Sequence, residues 1–162
     1  VSLSHPARHS LPLTIVGAGP LRAHLRRLAL SAPAPARVTL VGELGRAEVA
    51  DAMRRARALV LPSLEEGYGV VAAEALACGT PVVASRVGAL REILATEASG
   101  LLVSPGDRSE LGEALGRVAE WPHSPADVAA ASGARPWRER AGEIMALYDE
   151  VVAEARTGGE RP

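Results

Sequence analysis

Two glutamates, Glu66 and Glu74, stand eight positions apart, with Gly67-Tyr68-Gly69-Val70 just after the first of them. Were the whole span helical, the two carboxylates would lie roughly 12 Å apart along the axis at about 1.5 Å per residue. That is too far for a hydrolytic acid/base pair, whose carboxyl groups sit about 5–9.5 Å apart. The spacing suits the two ends of one elongated polar ligand. Between the acids lie the amides of Gly67, Tyr68, Gly69 and Val70. Free N–H groups of this kind, at the positive end of a helix dipole, suit a phosphate.

The surrounding residues show how such a site is held. Ala58–Leu61 is a short apolar run, which reads as a buried strand. Gly69–Ala77 is made of strong helix formers and small apolar residues. Gly79 is placed to end that helix, with Pro81 just beyond, and Pro81–Ala84 reads as the next strand. Strand, glycine loop, helix, strand leaves an anion-friendly helix N-terminus at the end of a strand.

The rest of the chain repeats this alternation. Leu13–Val16 is a strand, Gly17-Ala18-Gly19-Pro20 a tight turn, and Leu21, Leu25 and Leu28 a helical stripe interrupted by Pro33 and Pro35. Val38–Val41 is a strand ended by Gly42, and Val49, Ala52, Met53 and Ala56 mark another helix. Val87–Ala95 predicts a short helix and Leu101–Val103 a last strand. Asp107 and Glu110 mark a helix start, with Leu111, Ala114, Leu115 and Val118 as its buried stripe. Residues 122–136, rich in Pro, Ala and Ser, read as an irregular joint. Trp137, Ala141, Ile144, Met145, Tyr148, Val151, Val152 and Ala155 form a stripe along a final helix. Short loops between alternating strands and helices imply an α/β fold with five or six strands in a parallel, doubly wound, Rossmann-like sheet. Ligands of such sheets bind at the carboxyl ends of the strands. That edge gathers Gly17–Pro20, Gly42–Glu43, Pro62–Gly69 and Ser85–Gly88.

Composition narrows the function classes. A chain of 162 residues is normally one domain, and 48% apolar content is enough for a core. Aromatics are only 2%, with no Phe, so the core must be Leu, Val and Ala. A net charge of −1 argues against a nucleic-acid binder with a basic surface. The single cysteine, Cys78, cannot form an internal disulfide, reads as a small buried hydrophobe, and fits a reducing, cytoplasmic compartment. No apolar run reaches the ~18 residues of a membrane span, and the N-terminus does not read as a signal peptide. His5, His9, His24 and His123 have no metal-ligand spacing. Asp-x-Asp, Gly-Lys-Ser/Thr, Gly-x-Ser-x-Gly and Cys-x-x-Cys are all absent.

Taken in order, several of these segments resemble one family. They are Ile15-Val16-Gly17-Ala18-Gly19-Pro20, Glu66-Gly67-Tyr68-Gly69 through Glu74-Ala75-Leu76-Ala77-Cys78-Gly79-Thr80-Pro81-Val82-Val83-Ala84-Ser85, Gly88-Ala89-Leu90-Arg91-Glu92, and Gly100–Asp107. Together they are similar to the donor-binding, C-terminal half of GT-B retaining glycosyltransferases, the group 1 type with a Glu-x7-Glu motif. The resemblance covers about residues 13–155. It implies a nucleotide-sugar-binding domain at 13–136 and a crossover helix at 137–156; residues 1–12, with little period, read as an entry segment, and the Gly/Arg/Glu-rich 157–162 as a disordered tail.

The same resemblance implies roles. Glu74 would hold the ribose hydroxyls of a nucleotide-diphospho-sugar. Glu66, the catalytic position, would hold hydroxyls of the donor sugar. The amides of Tyr68, Gly69 and Val70 would meet sugar and diphosphate, with Gly67 also in the donor-binding loop. Val41, Gly42 and Glu43 would hold the base, and Gly17 and Gly19 would let the chain pass close to the ligand. The donor would be a UDP-, GDP- or ADP-sugar, with no obligatory metal or other cofactor. Full-length members carry a preceding acceptor domain and an Arg and a Lys that neutralise the diphosphate. No residue here matches those two, so this chain is expected to be a donor half-site, inactive alone, that needs an acceptor domain or partner chain. With that domain absent, Met145, Tyr148 and Val152 should be exposed or drive self-association, or the helix should fray beyond about Leu147.

Plainer readings stand beside these. Gly17–Pro20 also fits a simple strand-to-helix turn. Glu74 could be a helix-surface acid, although Ala73, Ala75, Leu76 and Ala77 suggest a mostly buried helix in which a carboxylate needs partners. Glu66 could be merely solvated, Tyr68 could serve packing, and Glu92 could pair locally. A dinucleotide (NAD)-binding module is the alternative function, because Gly17-x-Gly19 follows a strand and Glu43 ends the next. Its third glycine, however, would fall at Arg22. A non-catalytic fragment is the third reading.

Overall fold

The computed structural model describes residues 11–31, 37–135 and 137–157. The leading segment up to residue 10, the Pro33–Pro35 interruption and the tail beyond Thr157 lie outside the described residues. The chain divides into two compact units, one ending at Ser132 and one beginning at Gly133.

In the first unit, β1 (Leu13–Val16), α1 (Arg22–Ser31) and β2 (Val38–Gly42) form one βαβ step, and the two strands pair in parallel. After α2 (Arg46–Arg55), β3 (Leu59–Leu61), β4 (Val82–Ser85) and β5 (Gly100–Val103) form a second parallel sheet with β4 at its centre. Its register runs Leu59 to Val82 to Gly100. Helices α3 (Val70–Ala77), α4 (Leu90–Ile93), α5 (Arg108–Ala119) and α6 (Pro125–Ala131) complete the unit. Where one sheet was expected, the five strands among the described residues are hydrogen-bonded as two, and β1 and β3 are not paired with each other.

The core follows from the two-residue period of β4. Val82 and Ala84 point to one face and pack with Ala72, Ala75 and Leu76 of α3, Leu90 of α4 and Val128 of α6. Val83 points to the other face, with Val103 of β5 and Ala114 and Val118 of α5. Helices therefore cover both faces of the parallel strands, the doubly wound arrangement expected. Met53 of α2 joins the α3 side, and the Thr80 hydroxyl donates to the Met53 carbonyl at 2.6 Å, which fixes α2 to the end of α3.

Local signals explain the helix ends. Past α3 the amide of Gly79 donates to the Leu76 carbonyl and that of Thr80 to the Ala75 carbonyl, the paired bonds of a glycine-terminated helix. Asp107 caps α5 by accepting from the amides of Ser109 and Glu110 at 2.9 and 3.0 Å. The joint expected at residues 122–136 is instead partly helical. Ser124 and Asp127 cap α6 reciprocally and Pro125 takes its first position, a pattern legible in Ser-Pro-Ala-Asp.

The second unit carries α7 (Trp137–Thr157), which is continuous past Leu147, so the expected fraying does not occur. Within it Arg135 and Arg140 both pair with Glu143. Met145, Tyr148 and Val152 are 59%, 63% and 47% exposed.

Candidate functional site

The loop from β3 to α3 carries Glu66, and the way it is held is the main feature of the site. Gly69 caps α3 with φ +73, and a β-carbon there would lie 2.8 Å from Leu90 Cδ2, so the turn closes only on glycine. The backbone at Glu66 rests directly on Gly88, where a β-carbon would collide with the Glu66 carbonyl oxygen. The Ala89 amide donates to the Gly67 carbonyl at 3.4 Å. The loops that leave β3 and β4 are thereby brought together at the carboxyl edge of the sheet.

Glu66 is half-buried, and its Oε1 accepts from the Gly69 amide at 3.3 Å. The carboxylate thus turns back over the start of α3. The amides of Gly67, Tyr68, Val70 and Val71 carry no hydrogen bond among the described residues. They are the donors left for an anion at this helix start. The Tyr68 side chain is exposed, so it does no packing here.

Glu74 is placed differently from expectation. The α3 helix is buried along Ala72, Ala75 and Leu76, but Glu74 lies on its open face. The run of small apolar neighbours signals a helix with one sealed face, not a helix sealed all round. No ion pair or side-chain hydrogen bond engages Glu74 among the described residues. The helix begins only at Val70, so the rise from its first residue to Glu74 is about 6 Å at ~1.5 Å per residue. The span from Glu66 is therefore not helical throughout, as the 12 Å figure assumed.

The first βαβ step brings a second cluster to its own carboxyl edge. The Gly17 amide donates to the Gly42 carbonyl at 2.7 Å, tying the turn after β1 to the end of β2. Gly19 accepts from the Arg22 amide at 3.1 Å and starts α1. Val41 and Glu43 are exposed beside the buried Gly42. Arg22, not among the residues expected at the site, lays its guanidinium against Gly42, with Nη1 3.0 Å from the position a β-carbon would take. The one hint in the sequence is that Arg22 stands where a dinucleotide fingerprint needs its third glycine.

Arg86 and Arg91 turn to backbone carbonyls, Arg86 to Leu102 and Arg91 to Arg86, each at 3.3 Å. Glu92 is exposed on α4, and Cys78 is half-buried at the end of α3 instead of fully buried. Away from the site, the Ser104 amide and hydroxyl hold the Glu110 carboxyl below its ordinary range, and the Ser124 hydroxyl and amide do the same for Asp127. Among the described residues no three His, Cys, Asp or Glu side chains gather as a metal ion would require. No helix among them is long and apolar enough to cross a membrane.

The chain belongs to the family described as glycosyl transferases group 1, which matches residues 2–120. It is 39% identical over 112 residues to a D-inositol 3-phosphate glycosyltransferase of Frankia alni, covering 67% of this chain and 28% of that one. It is 36% identical over 137 residues to D-inositol 3-phosphate glycosyltransferase 2 of Catenulispora acidiphila, covering 82% and 32%. The chain thus spans about a third or less of the curated relatives it matches. Among solved structures, sucrose-phosphate synthase from Thermosynechococcus elongatus is similar with TM-score 0.68 and 33% identity, over 87% of this chain and 38% of that chain. Anabaena HepE in complex with UDP is similar with TM-score 0.62 and 25% identity, over 75% and 35%. The fold is that of GT-B glycosyltransferases.

Proposed function

We propose that this chain is the donor-binding half of a retaining glycosyltransferase that takes a nucleotide-diphospho-sugar. The observation that carries the reading is the Glu66–Val70 loop. It sets a carboxylate and unpaired amides together at the N-terminus of α3, with Glu74 open on the same helix. Family membership and the UDP bound in HepE support the choice of ligand.

In this reading the amides of Gly67, Tyr68, Gly69 and Val70 meet the diphosphate and sugar. Gly69 would then share its amide between the ligand and Glu66. Glu66 accepts from donor-sugar hydroxyls, and Glu74 accepts from the ribose hydroxyls. Gly17 and Gly19 leave room for the ligand, and Val41, Gly42 and Glu43 hold the base. The bond from the anomeric carbon to the diphosphate oxygen breaks, the acceptor hydroxyl oxygen forms the new bond on the same face as its proton passes to the departing diphosphate oxygen, and the nucleoside diphosphate leaves. Positioning and preorganised charge supply the catalysis, and no metal is required. The acceptor is held by an N-terminal domain or a partner chain, and the setting is cytoplasmic. Family membership replaces the dinucleotide reading.

Calorimetric titration tests this directly. Glu74→Ala should weaken UDP and UDP-sugar alike, by about 1.5–3 kcal/mol, because a charge-assisted hydrogen bond is lost. Glu66→Ala should weaken the intact sugar nucleotide and leave the free diphosphate unchanged. Unaltered binding by Glu74→Ala would show that the ribose lies elsewhere.

A further inference from the structure

The segment assigned to the base lacks one chemical element, a side-chain donor. Val41, Gly42 and the turn at Gly17 offer mainly backbone, and the exposed Glu43 carboxylate offers only acceptors. The position of Arg22 provides the missing donor. Its backbone is fixed as the first residue of α1, with its amide on the Gly19 carbonyl. Its guanidinium lies over Gly42, which is itself tied to Gly17. A side chain on Gly42 would occupy the space that Nη1 takes, with Cζ at 3.9 Å and Nη2 at 4.0 Å from the same point. The head group therefore stands at the carboxyl end of β2, in the segment assigned to the base.

Arg22 also borders a groove of about 400 Å³ shared with Arg26, Val38, Thr39 and Leu40. No carboxylate pairs with Arg22 among the described residues. Its donors are therefore available to a ligand. Guanidinium carries five N–H donors in a fixed plane and no acceptor. A base edge that offers a carbonyl oxygen satisfies such donors, as guanine O6 and the O4 of a pyrimidine dione do. Adenine carries an amine in place of that carbonyl oxygen, a donor facing donors, so only its ring nitrogens remain to accept from the guanidinium.

We infer that Arg22 reads the base through an exocyclic carbonyl oxygen, so that the site takes a uracil or guanine nucleotide in preference to adenine. The inference rests on the donor-site reading above and adds the base class to it. It also separates two charges. The amides at α3 meet the diphosphate from one sheet, while Arg22 meets the base from the other.

The test is calorimetric titration of the 162-residue chain with UDP, GDP and ADP, for the unmodified protein, Arg22→Leu and Arg26→Gln. Arg26 lies one turn further along α1, in the same groove but away from Gly42, and serves as the control. The unmodified chain should bind UDP or GDP at least about tenfold more tightly than ADP, the factor set by one charge-assisted hydrogen bond. Arg22→Leu should erase that preference by weakening only the favoured nucleotide, while Arg26→Gln keeps it. Thermal melts of the three proteins, expected to coincide because Arg22 is exposed, show that folding is unchanged. Equal affinity for all three nucleotides in the unmodified chain overturns the inference and leaves the donor site standing. So does an Arg22→Leu effect of equal size on all three, which would place Arg22 on the diphosphate. Failure of every nucleotide to bind overturns the donor-site reading, and this inference with it.

Discussion

The two sheets of the first unit are built from the same kinds of residue and reach opposite ends of burial. In β4 all four residues, Val82 to Ser85, are buried. In β1, Leu13-Thr14-Ile15-Val16, only Ile15 is even partly covered. The difference lies in the neighbours. β4 has a strand on each side, α3 on one face and α5 on the other. β1 has one strand, and Leu28 and Leu30 of the neighbouring α1 are themselves exposed. Hydrophobic composition supplies the drive to bury, but burial depends on surfaces that meet. The proposed ligand would touch both regions, Glu66 and Glu74 in the well-packed one and Arg22 and Gly42 in the other.

The largest expected effect breaks the well-packed region. Leu76 is fully buried in the α3 core, so Leu76→Ala should cost about 2–5 kcal/mol in chemical denaturation. Leu28→Ala, the same deletion on α1, should change stability by no more than about 0.5 kcal/mol, because the side chain is half-exposed. Equal losses at the two sites would mean that α1 has a cover in solution that the fold here does not provide.

A smaller effect concerns the exposed face of α7. Self-association through Met145, Tyr148 and Val152 should make the 16.8 kDa chain sediment as larger species at tens of micromolar. Tyr148→Arg should shift the distribution toward monomer. A monomer at every concentration would exclude that face as a self-association surface.

The smallest effect is a pH dependence confined to the packed region. Glu110 and Asp127 have folded pKa values below their unfolded ones, through the Ser104 and Ser124 bonds. Their stabilisation is complete above the ordinary carboxyl range and is lost as the pH falls through the folded values. Asp127→Asn should flatten the acid limb of a stability-against-pH curve measured by denaturant. An unchanged limb would remove the α6 cap from the account.

How much of this was legible in sequence depends on how local each cause is. The five strands begin and end within about one residue of their apolar runs, because the run is the cause. The α5 cap was readable from Asp107 and Glu110, and α6 would have been from Ser124, Pro125 and Asp127, whose helix-start pattern was overridden by the Pro/Ala/Ser composition. The division into two sheets was not readable, since strand pairing is a contact between residues far apart in the chain. The same holds for Arg22 against Gly42, twenty positions away. For Glu74, its type and spacing were visible, but which way it faced depended on where α6 and α4 pack.

The unpaired edges of β1 and β3 also bear on the solution behaviour of this chain. Each edge is a row of amides and carbonyls without strand partners among the described residues. Natural proteins commonly guard such rows with lysine, proline or an inward charge. β1 reads Leu-Thr-Ile-Val and β3 Leu-Val-Leu, and the chain contains no lysine at all. Nothing within either strand discourages another chain from docking there. The two edges are different surfaces, so pairing β1 of one copy with β3 of the next is head-to-tail, and such a contact has no built-in stopping point. In handling, this favours dilute solutions and low temperature. For engineering, a single charged residue at Thr14 is the economical way to keep copies of the chain apart.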